Sequence, residues 1–226
     1  MGLARKYFEH LRNAPEQDIE PEKLNGLQRY WYVLKNNLWS LVLLNLVFAV
    51  SCVPVITVPA SISAMSRICM KYLMGQRVEL LRDYFMEWKL TFGRSWVIML
   101  SGAAMIALLV LACFAYYFLL DGAARNVFLI LSLLLILWVF SMLCYAYSFQ
   151  AALELRIGEL LKNAALISVT EFGTTALLVL LPGVAYFLCA LFFPLTLPLL
   201  VLGLISLTQL AVCTITLKPV KKYTIS

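Results

Sequence analysis

Charge is scarce in this chain. Asp, Glu, Lys and Arg make up 13% of its 226 residues, against about 25% in a soluble domain. That is too little ionic surface for a fold wetted on every side, and it excludes a nucleic-acid-binding domain or a disordered chain. Histidine is nearly absent, with His10 the only one, so a zinc site of the HExxH kind is impossible. Cysteine is present but dispersed. Cys52, Cys69, Cys113, Cys144, Cys189 and Cys213 include no pair three residues apart, which removes CxxC redox and zinc spacing. They sit mostly inside apolar runs and are expected to pack as small hydrophobic side chains. There is no GxSxG elbow, no P-loop and no pair of Asp residues in facing apolar segments. The sequence therefore reads as a non-enzyme, and no cofactor or metal is expected.

What the chain has instead is hydrocarbon. Hydrophobic residues make up 63% of it and the mean hydropathy is +0.89, so its solvent is a lipid bilayer. A helix needs about 20 apolar residues to cross about 30 Å of hydrocarbon. Five stretches meet that demand: 36–54, 95–120, 126–149, 171–193 and 195–217. A sixth, 56–74, is apolar but Ser-rich and carries Arg67 and Lys71.

The net charge of +6 settles the path of that sixth segment, because Lys and Arg accumulate on the cytoplasmic side. If 56–74 does not return across the membrane, the basic residues divide almost evenly between the two faces. If it does return, every basic residue except Arg125 lies inside. The expected fold is thus an all-α polytopic bundle of about six transmembrane helices, five plus one short or re-entrant, with both termini cytoplasmic. Residues 1–35 form an N-terminal segment: a short amphipathic helix with Tyr7, Phe8 and Leu11 on one side, then a Pro-punctuated linker from Pro15 to Lys23. It lacks the apolar core of a cleaved signal peptide. Residues 36–217 form a single transmembrane domain, and 218–226 a basic tail. Between the second and third spans, 77–92 has Leu81, Tyr84, Phe85, Trp88 and Phe92 at helical spacing, predicting a cytoplasmic amphipathic helix at the membrane surface. Leu153–Lys162 reads as a second short charged helix, and the turn Phe192–Pro198 is uncharged. A weak internal echo relates Val33–Pro54 to Leu160–Pro182, each with Lys-Asn ahead of an apolar run that reaches a Pro.

Polar residues inside a membrane are functional candidates by default. Asn45, Ser61, Ser63, Arg67, Lys71, Glu171 and Gln209 make up the candidate intramembrane cluster. Arg67 and Lys71 sit one turn apart beside Ser61, Ser63 and Ser66, as would suit an inward pocket for an anion, a sugar hydroxyl or a partner helix. The plainer alternative is snorkelling of the two cations with close packing of small residues. Asn45 and Gln209 suit hydrogen bonds between helices, and Glu171 suits the inner interface. Tyr30, Trp31, Tyr32 and Trp39, and at the other face Tyr116 and Tyr117, read as membrane-belt aromatics.

The hairpin is the most distinctive piece of sequence. Pro54-Val55-Ile56-Thr57-Val58-Pro59-Ala60 sits within Leu34–Ile68, followed by Asp83-Tyr84-Phe85, Trp88-Lys89 and Phe92, then Leu161-Lys162-Asn163-Ala164-Ala165-Leu166. In order and spacing these blocks resemble the YesL-type bacterial membrane protein family, with Pro54, Thr57, Pro59 and Ala60 as the hairpin motif. The resemblance implies a multi-pass protein of the bacterial plasma membrane, an accessory of carbohydrate uptake whose partners would be sugar ABC-transporter permease subunits. It implies no catalytic or ligand-binding residue. The chain does not read as a permease itself, because neither Glu159 nor Glu171 opens the Glu-Ala-Ala loop that docks an ATPase. The alternative is a secondary transporter or channel for a small solute, which needs a polar pathway that Asn45, the serines near Arg67, and Gln209 supply only thinly.

Overall fold

The computed structural model describes residues 24–119, 121–153, 155–193, 196 and 203–224. The expected N-terminal helix, the linker, His10 and most of the turn 192–198 lie outside the described residues. Among the described residues every regular element is helical. Helix α1 runs Gly26–Ser51. After a single 3₁₀ turn, Val55–Thr57, come α2 (Val58–Leu73), α3 (Leu80–Leu119), α4 (Gly122–Ala152), α5 (Ile157–Thr170), α6 (Phe172–Leu191) and α7 (Ile205–Thr224).

The bundle is turned inside out relative to a protein in water. On α4, Ile130, Leu131, Leu133, Leu134 and Phe140 are exposed, whereas Ser132, Ser141, Ser148 and Gln150 are buried. Only 11% of the most apolar stretch of α3 is buried. Leaving that much hydrocarbon bare is stable only where the surroundings are themselves hydrocarbon, and there helices associate through small and polar residues. Among the described residues four helices, α1, α3, α4 and α6, are long and apolar enough to cross a membrane, while the apolar part of α7, Ile205–Val220, is shorter.

Helix α2 is different. Its 16 residues span about 24 Å at 1.5 Å per residue, less than the hydrocarbon thickness. Nearly all of it is buried, Arg67 and Lys71 included, against α1, α3, α4 and α7. It is the hub of the bundle. Pro59 sits in its first turn, where a missing N–H costs no helical bond. Its end is a Schellman motif. Gly75 takes φ 71, so that its N–H reaches Tyr72 O at 3.2 Å and that of Gln76 reaches Lys71 O at 3.0 Å.

Three boundaries differ from the sequence expectation. The surface helix at 77–92 and the span at 95–120 are one continuous 40-residue helix, α3, about 60 Å long. Gly93 does not interrupt it, and all its charge falls in the first half, before Trp96. The short charged helix expected at Leu153–Lys162 begins later, because Leu153 (ψ 149) and Arg156 (ψ 146) are extended. The last helix runs on through Pro219 to Thr224, into the expected tail. Both stretches of the internal echo are interrupted, Val33–Ser51 by a kink at Asn37 (φ −123, ψ 23) and the stretch after Leu160 at Glu171, between α5 and α6.

Candidate functional site

Residues four apart share a helix face. On α2 the residues at this spacing are Ser63, Arg67 and Lys71; on α3 they are Asp83, Glu87, Thr91 and Ser95. All seven are buried. The two helices run antiparallel, so the stripes meet rung by rung. Lys71 Nζ lies 2.7 Å from Asp83 Oδ2, and one turn along Arg67 Nε lies 4.0 Å from Glu87 Oε2. The register continues to the hairpin, where Trp96 Nε1 donates to Ile56 O at 2.9 Å.

Further contacts hold this ladder in place. Asp83 Oδ2 also accepts the Glu79 backbone N–H at 3.3 Å. The Arg67 guanidinium donates to Ala151 O, in the last turn of α4, where carbonyls lack helical partners and a cation is favoured. Arg94 does the same for Leu155 O. Gln150 Nε2 donates to Ser95 Oγ at 3.2 Å. The charges of α2 and α3 thereby fasten both helices to the end of α4. Lys71 is 2% exposed and Glu87 3%, so each charge has been taken from water and depends on its neighbours for compensation.

The other candidates fall elsewhere. Asn45 Oδ1 accepts the buried Ser206 backbone N–H at 3.1 Å, tying α1 to the first residues of α7. Gln209 Nε2 donates to Ser66 Oγ at 2.7 Å, on the α7 side of α2. Ser61 Oγ accepts from Ser51 Oγ at 3.0 Å and donates to Thr57 O at 2.9 Å; Tyr84 OH lies 2.6 Å from Ser51 Oγ. Ser63 Oγ is buried without a hydrogen-bond partner. Glu171, at the joint of α5 and α6, takes Lys222 Nζ at 2.8 Å. The structure thus brings Ser63, Arg67 and Lys71 together and spreads Asn45, Ser61, Gln209 and Glu171 over separate seams. In the hairpin, Thr57 Oγ1 donates to Ser51 O, while Pro59 and Ala60 are buried.

Sequence reasoning missed Asp83 and Glu87, which looked like the solvent side of a surface helix. The signal was available: two acids four apart, soon after two bases four apart. Among the described residues no group of three or more His, Cys, Asp or Glu side chains converges to hold a metal.

No curated protein and no solved structure matches the chain. Residues 40–113, the stretch that carries the hairpin and both sides of the charge ladder, are similar to the family described as "Protein of unknown function, DUF624".

Proposed function

We propose that this chain is a multi-pass protein of the bacterial plasma membrane, a non-catalytic accessory or interaction partner of a carbohydrate ABC-uptake system. One observation carries the non-catalytic reading. The buried charges of α2 and α3 are matched to one another, Lys71 with Asp83 at 2.7 Å and Arg67 with Glu87 at 4.0 Å. Charges used to fasten helices are not thereby presented to a solute. The carbohydrate link rests on the YesL-type resemblance of the hairpin, the Asp83-Tyr84-Phe85 block and Leu161–Leu166. In this proposal α2 is the short or re-entrant sixth segment and both termini are cytoplasmic, a reading supported by the isolation of Arg125 from the other basic residues.

Affinity purification of the full chain from mild detergent tests the reading. Co-recovery of sugar-permease subunits is the expected result. Purification without them, combined with solute uptake by liposomes containing only this protein, would overturn it in favour of a secondary transporter or channel.

A further inference from the structure

The tip of the hairpin between α1 and α2 is apolar and bare. Val50, Val53, Val55 and Ile56 are 70%, 79%, 80% and 60% exposed, and no Asp, Glu, Lys or Arg falls between Lys35 and Arg67. The hydrogen bonds of the tip decide which membrane face it belongs to. Trp96 Nε1 donates to Ile56 O at 2.9 Å. Next to Trp96, Ser95 Oγ takes Gln150 Nε2 at 3.2 Å, and Gln150 stands in the last turn of α4. Two side-chain hydrogen bonds therefore connect the tip to the C-terminal end of α4. On the other flank of the tip, Ser51 Oγ lies 2.6 Å from Tyr84 OH, about three turns before Trp96 on α3.

Helix α4 has 31 residues, about 46 Å at 1.5 Å per residue, against about 30 Å of hydrocarbon. Its other end, Gly122, follows directly on the end of α3 at Leu119. A hairpin that crossed the bilayer twice would bring its tip to the level of that turn. The observed tip is a membrane thickness away from it.

We infer that the α1–α2 hairpin is re-entrant: its tip docks among the acyl chains of the cytoplasmic leaflet and turns back without crossing. This rests on the topology proposed above, in which the C-terminal end of α4 is cytoplasmic. The occupant is lipid because the bare tip is continuous with the apolar surface of α3, where Val97 and Leu100 are exposed just past Trp96. A tryptophan at that seam suits the headgroup boundary.

The same placement relieves Arg67. Its guanidinium donates to Ala151 O, and Arg94 donates to Leu155 O, so both cations lie at the cytoplasmic end of α4 and neither has to enter the middle of the hydrocarbon. The charge count is unchanged, since a hairpin that never crosses leaves the same residues inside as one that crosses twice.

The test uses full-length chains that keep their native cysteines, with each labelled site located by peptide mass spectrometry. Val53→Cys and Ala123→Cys are treated with an impermeant maleimide applied from outside. The expected result is labelling at 123 and none at 53. Labelling at both would overturn the re-entrant hairpin and leave the topology standing. Failure of 123 to react from outside would overturn the topology, and this inference with it. A second variant, Val55→benzoylphenylalanine, is irradiated in phosphatidylcholine nanodiscs. A lipid adduct at position 55 is expected; an adduct to protein, or no adduct, would overturn the docking of the tip in lipid. Both valines are about four-fifths exposed, so neither change disturbs packing inside the bundle.

Discussion

The ammonium of Lys71 and the carboxylate of Asp83 are 2.7 Å apart, at a place where the lysine is 2% exposed. Each charge is tolerable there because the other is present. Removing one member of such a pair strands its partner in a low-dielectric interior, whereas replacing both with apolar groups leaves neither charge stranded.

Lys71→Ala and Asp83→Ala are each expected to destabilise the bundle by about 3–5 kcal/mol. Thermal denaturation in detergent, or the steady-state level in membranes, reads the loss. The double variant Lys71→Met/Asp83→Leu should recover most of the wild-type level. Recovery no better than either single variant would mean that the pair is not the source of the loss.

Arg67 has two roles, toward Glu87 and toward the carbonyl of Ala151. Arg67→Ala should therefore lower the amount of folded protein, and Arg67→Lys should restore it only in part, because an ammonium lacks the planar fork that serves both partners at once. A pocket role would show the opposite pattern, with normal membrane level and altered function. By contrast the exposed pair Arg82–Glu79 should be removable with no measurable effect.

Gly102 of α3 packs directly against Leu143 of α4. A Cβ built there would stand 2.6 Å from Leu143 Cδ1 and 2.9 Å from Leu143 Cγ. Gly102→Val is expected to cost about 1–3 kcal/mol through overpacking. Leu143→Ala should relieve much of that cost when the two are combined, and a double-mutant cycle measures the relief.

Asn45 supplies the acceptor for a buried backbone N–H of α7. Asn45→Leu keeps the volume but removes the acceptor, an expected loss of about 1–3 kcal/mol. Proteolytic sensitivity of the α7 end, compared before and after the change, is the measurement.

The proposed topology makes a separate prediction. In a cysteine-free background, Ala123→Cys should react with an impermeant thiol reagent applied from outside and Gln76→Cys should not. External labelling at both positions would break the six-segment arrangement.

The long apolar helices were legible in the sequence because a span has one dominant requirement, enough hydrocarbon in a row. Their partnerships were not legible. Asp83 and Glu87 lie on a helix whose apolar residues suggested a surface position, and the four-residue spacing they share with Arg67 and Lys71 does not by itself say that the two helices pack face to face. The union of α3 into one helix was hidden by the drop in charge after Arg94, which marks a change of surroundings and not a break in the backbone. Asn45 and Ser206, or Ser66 and Gln209, are brought together only when α7 returns to α1 and α2, and such distant contacts leave no periodic trace. Arg67, Lys71 and Ser63 stood out in the sequence as polar residues of an apolar segment. What they face had to come from the fold.

The position of α2 at the centre of the bundle has a consequence for how the chain is made. Lys71 leaves the ribosome ahead of Asp83 by 12 residues, roughly a second of synthesis at about 5–20 residues per second. During that interval two cations are committed to a hairpin whose neutralising carboxylates do not yet exist. The hairpin therefore has to linger at the membrane surface, or in the insertion machinery, until the first turns of α3 arrive. The nascent chain cannot be assembled strictly one helix after another.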